Sequence, residues 1–170
     1  AAGKPMTKNE LYQLFYRQAL TGDADAGGLV SFNCYSGEPV IGLEVGRPLL
    51  VRRPDAKLTL PNFARATLYA AMATLKIGMD ILLRDEGVQL DRLLGHGGLF
   101  KVPVVGQRLL AGALGVPVSV MQTAGEGGPW GMALLAAYLA EKRQGQTLES
   151  WLDGVFAAGS GSTLPPDPAD

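Results

Sequence analysis

The chain holds one cysteine, Cys34, and one histidine, His96, in 170 residues. A single thiol cannot close an internal disulfide, which excludes the crosslinked class of small secreted domains and makes a reducing cytoplasm the expected setting. Cys34 itself reads as a small buried hydrophobe on a strand. One His, one Cys and dispersed carboxylates make no preformed metal site, so no metal ligand is expected. Charge is scarce: 18% of residues are charged, the net charge is −1, and Lys and Arg are scattered. That leaves no electrostatic footprint for nucleic acid. No apolar run reaches membrane-spanning length, and no basic segment followed by an apolar one opens the chain. Neither a membrane partner nor a signal peptide is therefore expected. Two nucleotide motifs are also missing: there is no Gly-Lys-Ser/Thr of a Walker A loop and no full dinucleotide fingerprint. No acidic residue follows the Gly-rich turn at the ribose-binding position, which argues against a Rossmann-like domain.

What is present suffices for one domain with a real core, since 47% of residues are apolar. The most informative stretch is Leu94-Gly95-His96-Gly97-Gly98-Leu99-Phe100-Lys101, set between an apolar run and a helix signal at Pro103. Glycines let a backbone approach a ligand closely, and a helix starting just beyond offers unpaired N–H groups and a positive dipole end. The arrangement suits a phosphate, although a tight strand-to-helix turn without a ligand has the same look.

Along the chain, Thr7 and Glu10 fit a capping box for a first helix, with Leu11, Leu14, Phe15 and Gln18 at helical spacing and Gly22 as its stop. A loop over 23–28 precedes a strand over 29–34, a turn, and a second extended run over 40–45. Residues 49–51 are short and ambiguous. Thr59 and Pro61 open a long helix over 63–86, expected to be continuous and largely buried because its apolar face is so wide. Its polar stripe (Asn62, Arg65, Tyr69, Ala73, Lys76, Asp80) either faces solvent or lines a cleft, with Asp80 and Arg84 as an i,i+4 pair. A strand over 88–94, the Gly turn, a helix from Pro103 to Leu114 closed by Gly115, and a strand over 116–121 follow. A Gly loop over 122–128 leads to a helix opened by Pro129, and Thr147 caps a last helix over 148–156. Alternating strands and helices predict an α/β domain with at least one parallel pair. Ala1-Ala2-Gly3-Lys4-Pro5 reads as the cut end of a longer protein, and 159–170 as a flexible tail.

From Asn62 to Leu139, with GHGGLFKVPVVGQRLLAGALGVPVSVMQTAGEGGPWGMALLAAYL at its centre, the chain resembles the C-terminal domain of the FGGY carbohydrate kinases, and within them the pentulose kinases acting on xylulose or ribulose. The resemblance lies in the order of parts: long helix, strand, Gly turn, helix closing on Leu-Gly-Val-Pro-Val, short strand, Gly/Ala/Glu linker, small-residue helix. It implies an actin-like ATPase domain of ribonuclease-H type, lacking its first strands and occupying residues 1–158. It also implies ATP with accompanying Mg²⁺ as cofactors. The sugar would be bound jointly with an N-terminal domain outside this chain, and a homodimer is possible.

Carried over position by position, the resemblance assigns Gly97 and Gly98 to the phosphates and sugar of ATP, together with Lys101. Lys101 reads equally as a solvated lysine at a helix start. Leu99 and Phe100 depart from the small residue and Ser or Asn common in the family. They read as wedges packing the loop onto the domain, with an edge contact of Phe100 to adenine as the alternative. His96 reads as a turn residue tolerating an unusual φ, with a phosphate hydrogen bond as the alternative. Glu126, between glycines, either orients its loop or touches ligand-bound water. The family's catalytic Asp lies in a segment that nothing here matches, so no catalytic residue is assigned; Asp23, Asp25 and Asp80 are the available carboxylates. The resemblance implies the ATP-binding half of a kinase that phosphorylates a ketopentose. A non-catalytic nucleotide-sensing or oligomerisation domain of the same fold is the alternative.

Overall fold

Thr7 sets the first helix. Its hydroxyl accepts the Glu10 N–H at 3.2 Å while a Glu10 carboxylate oxygen accepts the Thr7 N–H at 2.8 Å, so two otherwise orphan donors are satisfied reciprocally. The helix, α1, runs over Lys8–Ala19. Its inward side is Phe15, Tyr16 and Ala19, whereas Leu11 and Leu14 stay exposed. The computed structural model describes residues 3, 5–156 and 161–169, so most of the expected cut end over 1–5 lies outside the described residues.

Strand β1 (Leu29–Phe32) pairs antiparallel with β2 (Leu49–Arg52), Leu29 opposite Arg52 and Phe32 opposite Leu49. The extended run expected over 40–45 does not form. Pro39 presets a helical φ, the Glu38 carboxylate accepts the Val40 N–H at 3.3 Å, and a 3₁₀ turn over Pro39–Ile41 results, closed by Gly42 at φ +68°. The ambiguous 49–51 segment supplies the partner strand instead.

The long helix α2 spans Leu60–Asp80 and continues as a π-helical turn over Ile81–Asp85. Thr59 caps it, accepting the Asn62 N–H at 3.3 Å, and Pro61 stands in its first turn, where a missing N–H is harmless. Continuity is as expected; burial is not. Leu68, Met72 and Met79 face the core, but Leu75, Ile77 and Ile81 are about half exposed. The polar stripe is corrected too, because Asn62 and Arg65 are among the most buried residues of the helix, 3% and 2% exposed. They meet neither solvent nor a cleft. By length and apolar composition Leu60–Asp85 would suffice to cross a membrane, contrary to the sequence expectation. Its first half nonetheless carries the core of this domain.

Strand β3 (Leu93–Gly95) is shorter than expected, and 88–92 is irregular. Helix α3 (Val105–Leu114) crosses to β4 (Val118–Met121), which lies parallel to β3 with Gly95 opposite Val120. Gly115 closes α3 in the left-handed conformation at φ +67°. Val105, Leu109, Leu110 and Leu114 of α3 pack with Leu68 and Met72 of α2, Ala19 of α1 and Val118 of β4 to form the main core.

Helix α4 (Gly127–Glu141) starts ahead of Pro129, and α5 (Leu148–Phe156) is capped by Thr147, whose hydroxyl accepts the Ser150 N–H at 3.2 Å. Tyr138 and Trp151 join these two helices, ring centroids 5.8 Å apart. The expected flexible tail is corrected where it is described: Gly161–Leu164 forms β5, antiparallel to β4 at the sheet edge. Polar pairing holds it there. The Gln107 amide donates to the carbonyls of Val118 (2.8 Å) and Ser162 (2.9 Å), Ser119 and Thr163 hydroxyls meet at 2.7 Å, and Arg108 reaches Asp167 at 3.1 Å. The result is a mixed α/β architecture with sheet order β3-β4-β5 beside the β1-β2 pair.

Candidate functional site

The backbone leaving β3 turns sharply at Gly97, whose φ of +103° and ψ of −171° belong to a region essentially confined to glycine. Its N–H donates to the Ala124 carbonyl at 2.6 Å, which ties this turn to the 3₁₀ turn over Ala124–Glu126. Gly98 then opens a 3₁₀ turn over Gly98–Phe100, and a Cβ built there would meet nothing within 4 Å. Space in front of that backbone is open.

Leu99 and Phe100 are wedges, as read from the sequence. A Cβ on Gly95 would lie 2.5 Å from the Phe100 ring, and one on Gly106 would lie 2.5 Å from the Leu99 carbonyl, so the loop is seated on two glycines. His96 has no positive φ; the expectation of an unusual backbone there is corrected. Instead its Cβ lies 2.9 Å from where a Gly127 Cβ would stand, so the start of α4 is pressed against it.

Helix α3 begins at Val105 rather than Pro103 because Val104 takes φ +75°, a left-handed conformation that a β-branched residue rarely adopts. Pro103 stands in the turn, and α3 has no side-chain cap.

These turns line a cleft of about 1080 Å³. Its lining includes Gly98, Phe100, Lys101, Pro103 and Val104 after the turn, together with Gln107, Val120 and Ser162; Gly125 flanks Lys101, whose Cγ lies 3.4 Å from a Cβ built on that glycine. One face of α1 also lines it, through Asn9, Tyr12, Gln13 and Tyr16. Burial, reinforced by neighbouring Tyr12, pushes the Tyr16 phenol above its ordinary value of 10.0.

Of the residues singled out from sequence, Gly98 and Lys101 line this cleft. Gly97 is not among its lining residues, and its N–H donates to the Ala124 carbonyl. The Glu126 backbone belongs to the neighbouring turn, but its side chain lies outside the described residues. The spare carboxylates do local work. Asp23 pairs with Lys57 at 3.1 Å, Asp25 accepts the Gly27 N–H at 2.9 Å, and Asp80 meets both Lys76 and Arg84. Among the described residues, no three His, Cys, Asp or Glu side chains converge. Sequence reasoning missed the α1 face, Gln107 and Ser162. The 9/12/13/16 spacing of that face is helical and visible, but it is polar and aromatic where a core stripe was sought.

The domain is a mixed α/β scaffold whose Gly turn borders a cleft, and comparison with known proteins gives its class. The model described as "FGGY family of carbohydrate kinases, C-terminal domain" matches residues 2–140, so the chain belongs to that family and is a carbohydrate kinase C-terminal domain. No curated protein sequence matches it significantly. Among solved structures, gluconate kinase from Lactobacillus acidophilus is similar with TM-score 0.65 and 20% identity over 96% of this chain and 32% of its own. Xylulose kinase from Rhodospirillum rubrum gives 0.63 and 21%, over 97% and 31%. Plasmodium falciparum glycerol kinase with ADP gives 0.66 and 17%, over 94% and 31%. At these identities the likeness is one of fold. The chain spans about a third of the length of these proteins.

Proposed function

We propose that this domain supplies the nucleotide side of the catalytic cleft in an ATP-dependent kinase that transfers the γ-phosphoryl group to a ketopentose such as xylulose or ribulose. The observation carrying this reading is the open backbone at Gly98, which with Lys101 lines a cleft of about 1080 Å³ in an FGGY domain. A side chain at Gly98 would occupy the space a phosphate needs, and Lys101 offers a compact positive charge next to it. ATP fits these residues by size and by chemistry, and ADP accompanies the glycerol kinase of similar fold. Mg²⁺ would arrive with the phosphates and keep most of its waters.

The parallel β3–β4 pair joined through α3 supports an actin-like, ribonuclease-H-type domain. Xylulose kinases among the similar folds support the pentulose, alongside the order of parts in the sequence. The sugar, the base that takes its hydroxyl proton and the remaining clamps on the phosphoryl group belong to a second domain or an earlier segment of the parent. ATP consumption and the single cysteine fit a cytoplasmic setting. The test is Gly98→Val in the intact kinase. The variant should raise KM for ATP in a coupled ADP-release assay with xylulose and ribulose, while its circular dichroism is unchanged. Unaltered ATP dependence with lowered stability would make the glycine structural and refute the reading.

A further inference from the structure

We propose that the outer face of the β1–β2 pair is the interface through which two copies of this chain associate. The register defines that face. In an antiparallel pair, residues directly opposite one another project to the same side, and successive residues alternate. Val30 stands opposite Val51 and Phe32 opposite Leu49, so these four share one face. All are apolar, and all are between 43% and 56% exposed. The reverse face is held against α2: Leu29 is buried with Ala66, and the Asn33 carboxamide donates to the Thr67 carbonyl at 2.8 Å. A strand pair fixed on one side thus presents an uncovered apolar surface on the other. Single exposed hydrophobes are ordinary, but a contiguous set on one sheet face marks a contact surface.

A second copy is the occupant this face fits. None of the four side chains carries a charge or a hydrogen-bonding group. A copy related by a two-fold axis therefore sets apolar against apolar and strands no polar side chain of this face. Sheets pack face to face in this way, their inner side chains interdigitating. The net charge of −1 adds little repulsion between copies. The area agrees. Tyr35 and Val45, in the connection between the strands, are 74% and 64% exposed. With them the hairpin offers roughly 600 Å² per copy, so a symmetric pair reaches about 1,200 Å², the lower end of specific interfaces. The competing cover is the remainder of a two-domain parent. On the nucleotide reading, on which this step rests, that remainder has to meet the cleft, and no residue of 29–52 lines the cleft. The outer face is left for a second copy.

The experiment is sedimentation velocity on the intact kinase, from nanomolar to high micromolar concentration. The parent should be a dimer that dissociates on dilution. Phe32→Glu enters a symmetric interface twice, so it should weaken the dimer about a hundredfold or more. Phe32→Glu combined with Leu49→Lys is the second variant. The two new side chains stand opposite each other across the strands, so their charges support the hairpin while charging the interface. This double variant should be monomeric, with circular dichroism and ATP dependence unchanged. Leu11→Glu places a charge at an equally exposed apolar site on α1 and should leave the dimer intact. A parent that stays monomeric at every concentration overturns the proposal; if the double variant then unfolds it, the face is covered within its own polypeptide. A folded double variant that dimerises like the parent also overturns it, as does equal loss from Leu11→Glu, the mark of nonspecific association. Gly98→Val, which tests the nucleotide reading, should leave the dimer unchanged, so the two readings fail separately.

Discussion

Replacing Gly27 with alanine should destabilise this domain severely, although Gly27 lies far from the cleft. Gly27 sits at φ +62°, and a Cβ there would press into the carboxamide of Asn62, 2.9 Å from its Cγ, and lie 3.0 Å from the Lys57 carbonyl. That carboxamide cannot move without loss, because it accepts the Asp23 N–H at 2.8 Å and donates to the Lys57 carbonyl at 3.0 Å. It is 3% exposed. Holding a residue with a Cβ in the left-handed conformation costs ~1–2 kcal/mol. Breaking the hydrogen bonds of a buried amide adds ~1–3 kcal/mol. The sum, ~2–5 kcal/mol, is a large fraction of the ~5–15 kcal/mol that holds a typical domain together.

The assay is urea denaturation followed by circular dichroism, reading the midpoint at constant slope so that compactness of the unfolded chain is not mistaken for stability. Gly98→Ala is the control. Its φ is not in the left-handed region and open space surrounds its built Cβ, so its effect should stay within ~0.5 kcal/mol, as for surface changes generally. Because the clash is specifically with Asn62, Gly27→Ala combined with Asn62→Ala should cost less than the two single changes added together. A Gly27→Ala protein that unfolds at the parent's midpoint, or a strictly additive pair, would refute the packing argument.

Leu109→Ala, removing a side chain that is 0% exposed, should cost ~2–5 kcal/mol, whereas Leu75→Ala, 45% exposed, should fall well below that range by the same denaturation assay. Acid should weaken the fold below about pH 3.8. Asp23 is held under its ordinary 3.8 first by the Lys57 hydrogen bond and then by Asn62, so its folded pKa is the lower one. Its contribution is present above the unfolded pKa and lost as pH falls through the folded value, so Asp23→Asn should flatten that limb of a stability–pH profile. Gln107→Leu should raise amide hydrogen exchange at Ser162 and Thr163, because the bond to the Ser162 carbonyl that pins β5 is lost. The isolated 170-residue chain should bind ATP-Mg²⁺ weakly and show no turnover with xylulose or ribulose, since aligned placement of both reactants supplies ~7–11 kcal/mol of barrier reduction. Sugar-dependent ADP release by this chain alone would refute the two-sided cleft.

What could be read from sequence was what is decided locally. The Thr7–Glu10 box, the Thr59 and Thr147 caps, the Gly115 stop and the Gly97–Gly98 turn each depend on residues within one helical turn of one another, and each is present. Arg65 shows where that stops. Its guanidinium donates to the Gly22 carbonyl at 2.7 Å and to the Tyr69 hydroxyl at 2.9 Å, and Tyr69 donates to the Ala24 carbonyl at 3.1 Å. The two carbonyls belong to a loop more than 40 residues away in the chain from the groups that donate to them, so the sequence around Arg65 does not mark it as buried. A charged residue on an amphipathic helix reads as solvated unless its partners are known, and here one partner is a distant backbone carbonyl, which no residue identity announces. The same reasoning accounts for β5: a Gly/Ser/Pro composition says tail, whereas backbone pairing with β4 makes it a strand, and Gln107 and Ser119 add side-chain hydrogen bonds to it. The cleft combines both kinds of information. Its glycines were legible because backbone clearance restricts residue choice, but the α1 face in the same cleft was not, because α1 is placed by its packing on α2 and α3. Residues that α1 and the Gly turn contribute to one cleft carry no mutual spacing in sequence, so their meeting had to be found in three dimensions.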